Sequence, residues 1–89
     1  MYLISKQIKT KLSMELIDTL WQFYQEGYPD CKEKDAYQLF MIQRSNIIMW
    51  QEVSESKKIV RCDSMTENDM EVWIIFDDKN YTMMFPENY

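Results

Sequence analysis

Ser13-Met14-Glu15-Leu16-Ile17-Asp18-Thr19-Leu20-Trp21-Gln22-Phe23-Tyr24-Gln25-Glu26-Gly27 is the stretch on which the fold turns. Leu16, Ile17, Leu20, Trp21, Phe23 and Tyr24 recur at intervals of three and four, which puts them on one wide stripe of an α-helix. Ser13 is an N-cap able to accept from the free N–H groups of the first turn. Leu12 and Ile17 have the spacing of a hydrophobic staple, and Glu15 complements the helix dipole. Gly27 stands where a left-handed residue closes a helix. The pattern predicts a helix over residues 14–26, followed by a loop at Pro29 and the charged run Asp30 to Asp35.

Outward from this helix the grammar is that of strands. On the N-terminal side, Tyr2 to Lys9 puts Tyr2, Ile4 and Ile8 on one side and predicts a strand. On the other side, Ala36 to Gln43 is a short, nearly continuous apolar run, and Arg44-Ser45-Asn46 breaks it before Ile47 to Val53, which predicts a hairpin. A third short strand follows at Lys58 to Cys62, and Asp63 to Asp69 has loop composition. Met70 to Phe76 then alternates, and Asp77-Asp78-Lys79-Asn80 turns into Tyr81 to Phe85. A helix with one apolar stripe and strands with apolar faces hide those surfaces by packing helix on sheet. The expectation is an α+β fold: one amphipathic helix on a mostly antiparallel sheet of four to five strands, with residues 1–89 as a single domain.

Two features make the second face of that sheet interesting. Apolar residues occupy both parities of the second strand, Phe40 and Ile42 beside Gln38 on one and Tyr37, Leu39 and Met41 on the other. Trp50 and Trp73 fall on different strands, either in the core beside Trp21 or on the opposite face. A single helix covers only part of such a sheet, so the spare face is expected to meet another copy of the chain or a partner.

Composition removes several function classes. The chain holds no His and a single Gly, Gly27, so neither the commonest metal and general-base ligand nor a glycine-rich phosphate loop is available. Asp77-Asp78 lies at a hairpin tip, where two solvated carboxylates lack the divergent pKa values of an acid–base pair. Asp63, Glu67 and Asp69 share one loop but lack the glycine of a calcium loop. Cys31 and Cys62 have no activating base, and a cytosolic chain keeps them reduced. No enzyme activity, cofactor or metal is expected.

The net charge is −5, with fifteen acids against ten bases. The excess is concentrated after residue 62, where Asp63, Glu67, Asp69, Glu71, Asp77, Asp78 and Glu87 stand against Lys79 alone. Such a segment repels nucleic acid and attracts basic surfaces. Lys57, Lys58 and Arg61 with Trp50 form only a small basic patch, so nucleic acid is not the expected partner. The candidate partner-binding residues are therefore Asp63, Glu67, Asp69, Glu71, Asp77 and Asp78 with Trp50 and Trp73. The alternating apolar and lysine residues of Met1 to Leu12 are not a signal peptide, and no run is long enough to span a membrane, so a cytoplasmic protein is expected.

Several segments carry a resemblance: LWQFYQE at 20–26, DAYQLF at 35–40, WQEVSESKK at 50–58 and VWIIFDDKNYTMMFPENY at 72–89. In this order they resemble a family of small Firmicute proteins of unknown function, the one numbered 960, over nearly the whole chain. The most specific parts are the Gln51-Glu52 pair and Met84-Phe85-Pro86-Glu87 before a closing aromatic. The resemblance implies an origin in Gram-positive bacteria, their phages or mobile elements, and no established activity. With the acid excess it suggests a non-enzymatic binding protein, an inhibitor of a bacterial defence nuclease or other nucleic-acid-processing protein with a basic surface. The alternatives are a homodimeric interaction module using the spare sheet face, or a weak nucleic-acid binder.

Overall fold

Ser13 caps the helix its spacing predicts: its hydroxyl accepts from the Leu16 N–H at 3.2 Å, and α2 runs over Met14–Glu26. The computed structural model describes residues 1–29, 33–63, 66 and 68–89. At the far end Gly27 takes φ 68° and ψ −147°, and two lysines hold the last carbonyls. Lys58 Nζ donates to the Gly27 and Phe23 carbonyls at 2.7 and 3.3 Å, and Lys34 Nζ donates to that of Tyr24 at 2.6 Å. Cations at this end complement the helix dipole, although burial pulls both ammonium groups below the usual lysine pKa. Gly27→Ala is expected to cost about 1–3 kcal/mol, because its backbone region is almost closed to L-residues. A Cβ there has room, its nearest neighbour being 3.9 Å away, so chemical denaturation of this variant isolates the backbone effect. An unchanged midpoint would refute it.

The N-terminal segment is different from the expected strand. Only Tyr2–Ile4 is extended (β1), and a second helix, α1, occupies Lys6–Lys11. Ser5 caps it by accepting from the Ile8 N–H at 3.3 Å. α1 buries Ile8 completely, and Leu12, four residues on at its C-cap, is buried with it. The remaining strands are β2 (Tyr37–Ile42), β3 (Asn46–Gln51), β4 (Ser56–Arg61), β5 (Met70–Phe76) and β6 (Tyr81–Met84), with a closing 3₁₀ turn at Pro86–Asn88.

The sheet has six strands in the order β1-β6-β5-β2-β3-β4, more than the four to five expected. Four pairs are antiparallel. The fifth is parallel, β1 lying along β6 with Leu3 opposite Thr82. After β4, at one edge, the chain returns past β3 and β2 to place β5 beside β2. The fold is α+β, two helices and a mixed sheet. Both helices lie on one face, where Ile8, Leu12, Leu16, Ile17, Leu20 and Tyr24 pack with Phe40, Ile42, Ile47, Met49, Val72, Ile74 and Met83. No helix among the described residues is long and apolar enough to cross a membrane.

Two glutamines are buried on the helix side of this sheet, Gln38 and Gln51. Gln38 Nε2 donates to Gln51 Oε1 at 2.7 Å and to the Asp35 carbonyl at 2.8 Å, and Gln38 Oε1 accepts from the Tyr28 hydroxyl at 2.7 Å. Gln51 Oε1 also takes the Asp35 N–H at 2.9 Å, while its Nε2 donates to the Glu33 and Ser54 carbonyls at 3.0 and 2.8 Å. The two amides thereby tie the segment before β2 and the β3–β4 turn to the sheet. Buried amides are tolerated only when satisfied in this way.

Candidate functional site

The alternation of each strand sends every second side chain to the face away from the helices. On β2 these are Tyr37, Leu39 and Met41; on β3, Asn46, Ile48 and Trp50; on β4, Lys57, Ile59 and Arg61; on β5, Glu71, Trp73 and Ile75. Registry sets them in rows. Met84, Trp73, Leu39, Trp50 and Lys57 stand side by side across five strands, and Glu71, Met41, Ile48 and Ile59 form the next row. Both tryptophans are therefore on the open face, flanking Leu39, and neither joins Trp21 at the core.

This face has a small apolar cluster of its own. Leu39 and Ile75 are each only 8% exposed, yet neither belongs to the core beneath the helices. Tyr89 folds back onto the face, its ring 5.7 Å from Trp73 and 6.0 Å from Tyr37, with the two tyrosine hydroxyls 2.9 Å apart. That hydrogen bond raises the Tyr37 pKa. Trp73 Nε1 donates to the Glu71 carboxylate at 2.6 Å. Beside Trp50 a shallow depression of about 350 Å³ is lined by Met41, Ile48, Gln51, Glu55, Ser56 and Lys57. Ile59 is 61% exposed at the β4 edge. Lone surface apolar residues mean little, but a continuous apolar face across several strands marks an interaction surface.

Of the candidate acids among the described residues, Glu71 alone projects from a strand onto this face. Asp63 sits at the end of β4 in a hollow with Arg44, Ser45, Arg61 and Cys62. Asp69 and Glu71 meet Glu87, Lys11, Phe85 and Pro86 at the start of β5. Asp77 and Asp78 lie at its other end, roughly 20 Å away at the strand rise. There the Asp77 carboxylate accepts from the Asn80 and Lys79 N–H groups at 2.7 and 3.1 Å, bonds that lower its pKa and shape the turn. Asp78 supplies that turn with a positive φ of 74°. Glu67 lies outside the described residues, as does Cys31; Cys62 is a half-buried free thiol. The basic patch is divided too, since Lys58 points beneath the sheet to α2 while Lys57 and Arg61 stay on the open face. Among the described residues no group of three His, Cys, Asp or Glu could hold a metal.

A second hollow, about 510 Å³, opens on the helix side between α2 and the β1–β6–β5 edge. Tyr81 is stacked there between Tyr2 and Phe76, at 5.0 and 4.6 Å, and Tyr24 meets it edge-on at 5.8 Å. Lys34 Nζ sits 4.1 Å over the Tyr24 ring, so the chain itself supplies the cation that such a wall attracts. Burial, then the neighbouring Tyr81 and Tyr2, push the Tyr24 pKa from 10.0 up to about 12. The fold thus favours the protonated phenol. That contribution is complete below pH 10 and is lost as pH rises through the folded value near 12. Thermal melts between these limits are expected to fall more steeply for the native chain than for Tyr24→Phe, and identical profiles would disprove it.

No family model matches this chain, nor does any curated protein or solved structure. The reading of the site therefore rests on its geometry. Of the sequence candidates, Trp50, Trp73 and Glu71 lie on this face, and Leu39, Ile48, Ile59 and Met84 stand beside them. Their signal was the apolar content of both strand parities.

Proposed function

We propose that this protein is a non-enzymatic protein-binding module whose docking surface is the open face of its sheet. The observation that carries this reading is the unbroken apolar row from Met84 through Trp73 and Leu39 to Trp50, uncovered by either helix. Interface cores are enriched in the residues found there, Trp, Tyr and Met, and poor in charge. Kinship with the family numbered 960 is part of the proposal and adds no activity to it. An inhibitor that plugs a basic groove with acids 63–78 draws less support, because Asp63 lies past the end of β4, Asp69 and Glu71 at the start of β5 and Asp77 and Asp78 beyond its far end, with Asp77 engaged in its own turn.

Photo-crosslinking in cells tests the surface. A benzophenone side chain replaces Ile59 on the open face, or Met14 on α2, two positions of nearly equal exposure at 61% and 65%. Adducts from position 59 and none from position 14 are expected. Equal yields from both, or none from position 59, would reject the open face as the docking surface.

A further inference from the structure

On the helix side, at the edge of the sheet away from β4, registry builds a ladder of rings. Tyr2 pairs with Tyr81 and Tyr81 with Phe76, and their rings stack at 5.0 and 4.6 Å, close to the spacing of the strands that carry them. Tyr37 stands opposite Ile75, so the next place in the row belongs to Ala36, whose carbonyl accepts the Phe76 N–H at 2.9 Å. The ladder thus ends on a methyl group. Tyr81 is covered on both faces, whereas Phe76 meets only the Tyr81 ring among the described residues. The hollow of about 510 Å³ is lined by both Phe76 and Ala36. Its volume is that of ordinary small-ligand sites, with room for one more ring in the stack.

Two polar groups on the α2 side indicate what that ring carries. Tyr24 is only 4% exposed, yet its hydroxyl has no hydrogen-bond partner in the protein. No buried side-chain oxygen or nitrogen among the described residues is left without one, so this hydroxyl opens on the hollow that Tyr24 lines. Its pKa of about 12 keeps it a donor. Lys34 is the second group. Its ammonium gives one proton to the Tyr24 carbonyl and lies over the Tyr24 ring, which leaves two protons for a ligand. Asp35 also borders the hollow, but its two carboxylate oxygens face the Tyr37 and Val53 N–H groups, at 3.5 and 3.4 Å. Lys34 therefore sets the polarity of the site. A cationic ligand meets repulsion at a wall that already holds an ammonium, and an anion meets two donors.

We propose that this hollow is a binding site for a small aromatic carboxylate, whose ring continues the Tyr2–Tyr81–Phe76 ladder over Ala36 and whose carboxylate accepts from Lys34 Nζ and the Tyr24 hydroxyl. The site lies on the opposite side of the sheet from the docking face and is independent of it.

Benzoate is the probe, titrated into the full chain and followed by the backbone amide signals of Ala36, Phe76 and Tyr81 in nuclear magnetic resonance spectra. Saturable shifts of these signals are expected, with a dissociation constant on the order of 1 mM for so small a ligand. Three relatives of benzoate separate the parts of the site. Cyclohexanecarboxylate keeps the charge without the flat ring, benzamide keeps the ring without the charge, and benzylamine reverses the charge. Each is expected to bind about tenfold more weakly or worse. Lys34→Gln, at an exposed position, should weaken benzoate about tenfold and Tyr24→Phe about fivefold, while Ala36→Leu fills the end of the ladder and should abolish binding. Far-ultraviolet circular dichroism checks the folding of each variant, and Lys34→Gln carries the test if either of the others fails to fold. No saturable shift up to about 20 mM benzoate, or equal binding of benzoate and any of its three relatives, overturns the proposal. Unchanged benzoate affinity in Lys34→Gln or in folded Ala36→Leu overturns it as well.

Discussion

Replacing Gln51 by leucine is expected to lower the stability of this protein by about 3–4 kcal/mol, the largest effect of any change away from the apolar core. Leucine fills a similar volume, so packing is not what is lost. The loss is of partners: the Asp35 N–H, one Gln38 amide bond, and the carbonyls of Glu33 and Ser54. Each buried group left unsatisfied costs about 1–3 kcal/mol, and the part-buried carbonyls recover some of this from water. For a domain of this size the melting temperature should fall by roughly 15 °C. Gln51→Glu separates charge from shape. Its carboxylate would face two carbonyls, so this variant should be least stable near neutral pH and recover in acid as the carboxyl protonates and regains a donor. A Gln51→Leu melting point within a few degrees of the native value would show that the amide network does not organise this end of the sheet.

Trp50→Ala is expected to have the opposite profile, a large effect on docking and a small one on the fold. Trp50 stands between Leu39 and Lys57 in the central row and is half-buried, outside the core under the helices. Truncating a central interface tryptophan costs about 2 kcal/mol or more, some 30-fold in affinity. In the isolated chain the same truncation removes only contacts with Leu39, Ile48 and other side chains of the open face, and its cost should stay near 1 kcal/mol. Crosslinking yield from position 59 and chemical denaturation measure the two quantities. Equal losses in both would place Trp50 in the scaffold instead of the interface. For comparison, truncation of Phe40, fully buried beneath the helices, should destabilise by about 3–5 kcal/mol through cavity formation.

These contrasts follow the division between what local sequence dictates and what it does not. The α2 helix was legible because its cap, staple, stripe and glycine all act within a few residues, and Leu12 and Ile17 are both buried as their spacing implied. The β5 strand was legible for the same reason, a short, mostly apolar run between two segments of loop and turn composition. The α1 helix was missed because six residues carry too little periodic signal, although Ser5 and the Ile8–Leu12 interval were there to be read. The buried glutamines read as ordinary polar strand positions. Nothing in a polar side chain announces that it is satisfied internally until its partners, distant in sequence, are brought to it.

The candidate site divides in the same way. Its members are all on strands that the pattern located, and the apolar content of both parities announced a second face in need of cover. Which parity faces the helices is a different matter, because a two-residue period assigns side chains to faces without saying which face is which. Sequence alone determined the helix, the strand pattern, the acid excess and the absence of histidine. Only the tertiary structure decided that Trp50 and Trp73 flank Leu39 in the open, that Asp69 and Asp77 stand at opposite ends of β5, and that β1 lies parallel along β6. Those outcomes depend on strand order and registry, which are settled by burial between segments far apart in the chain.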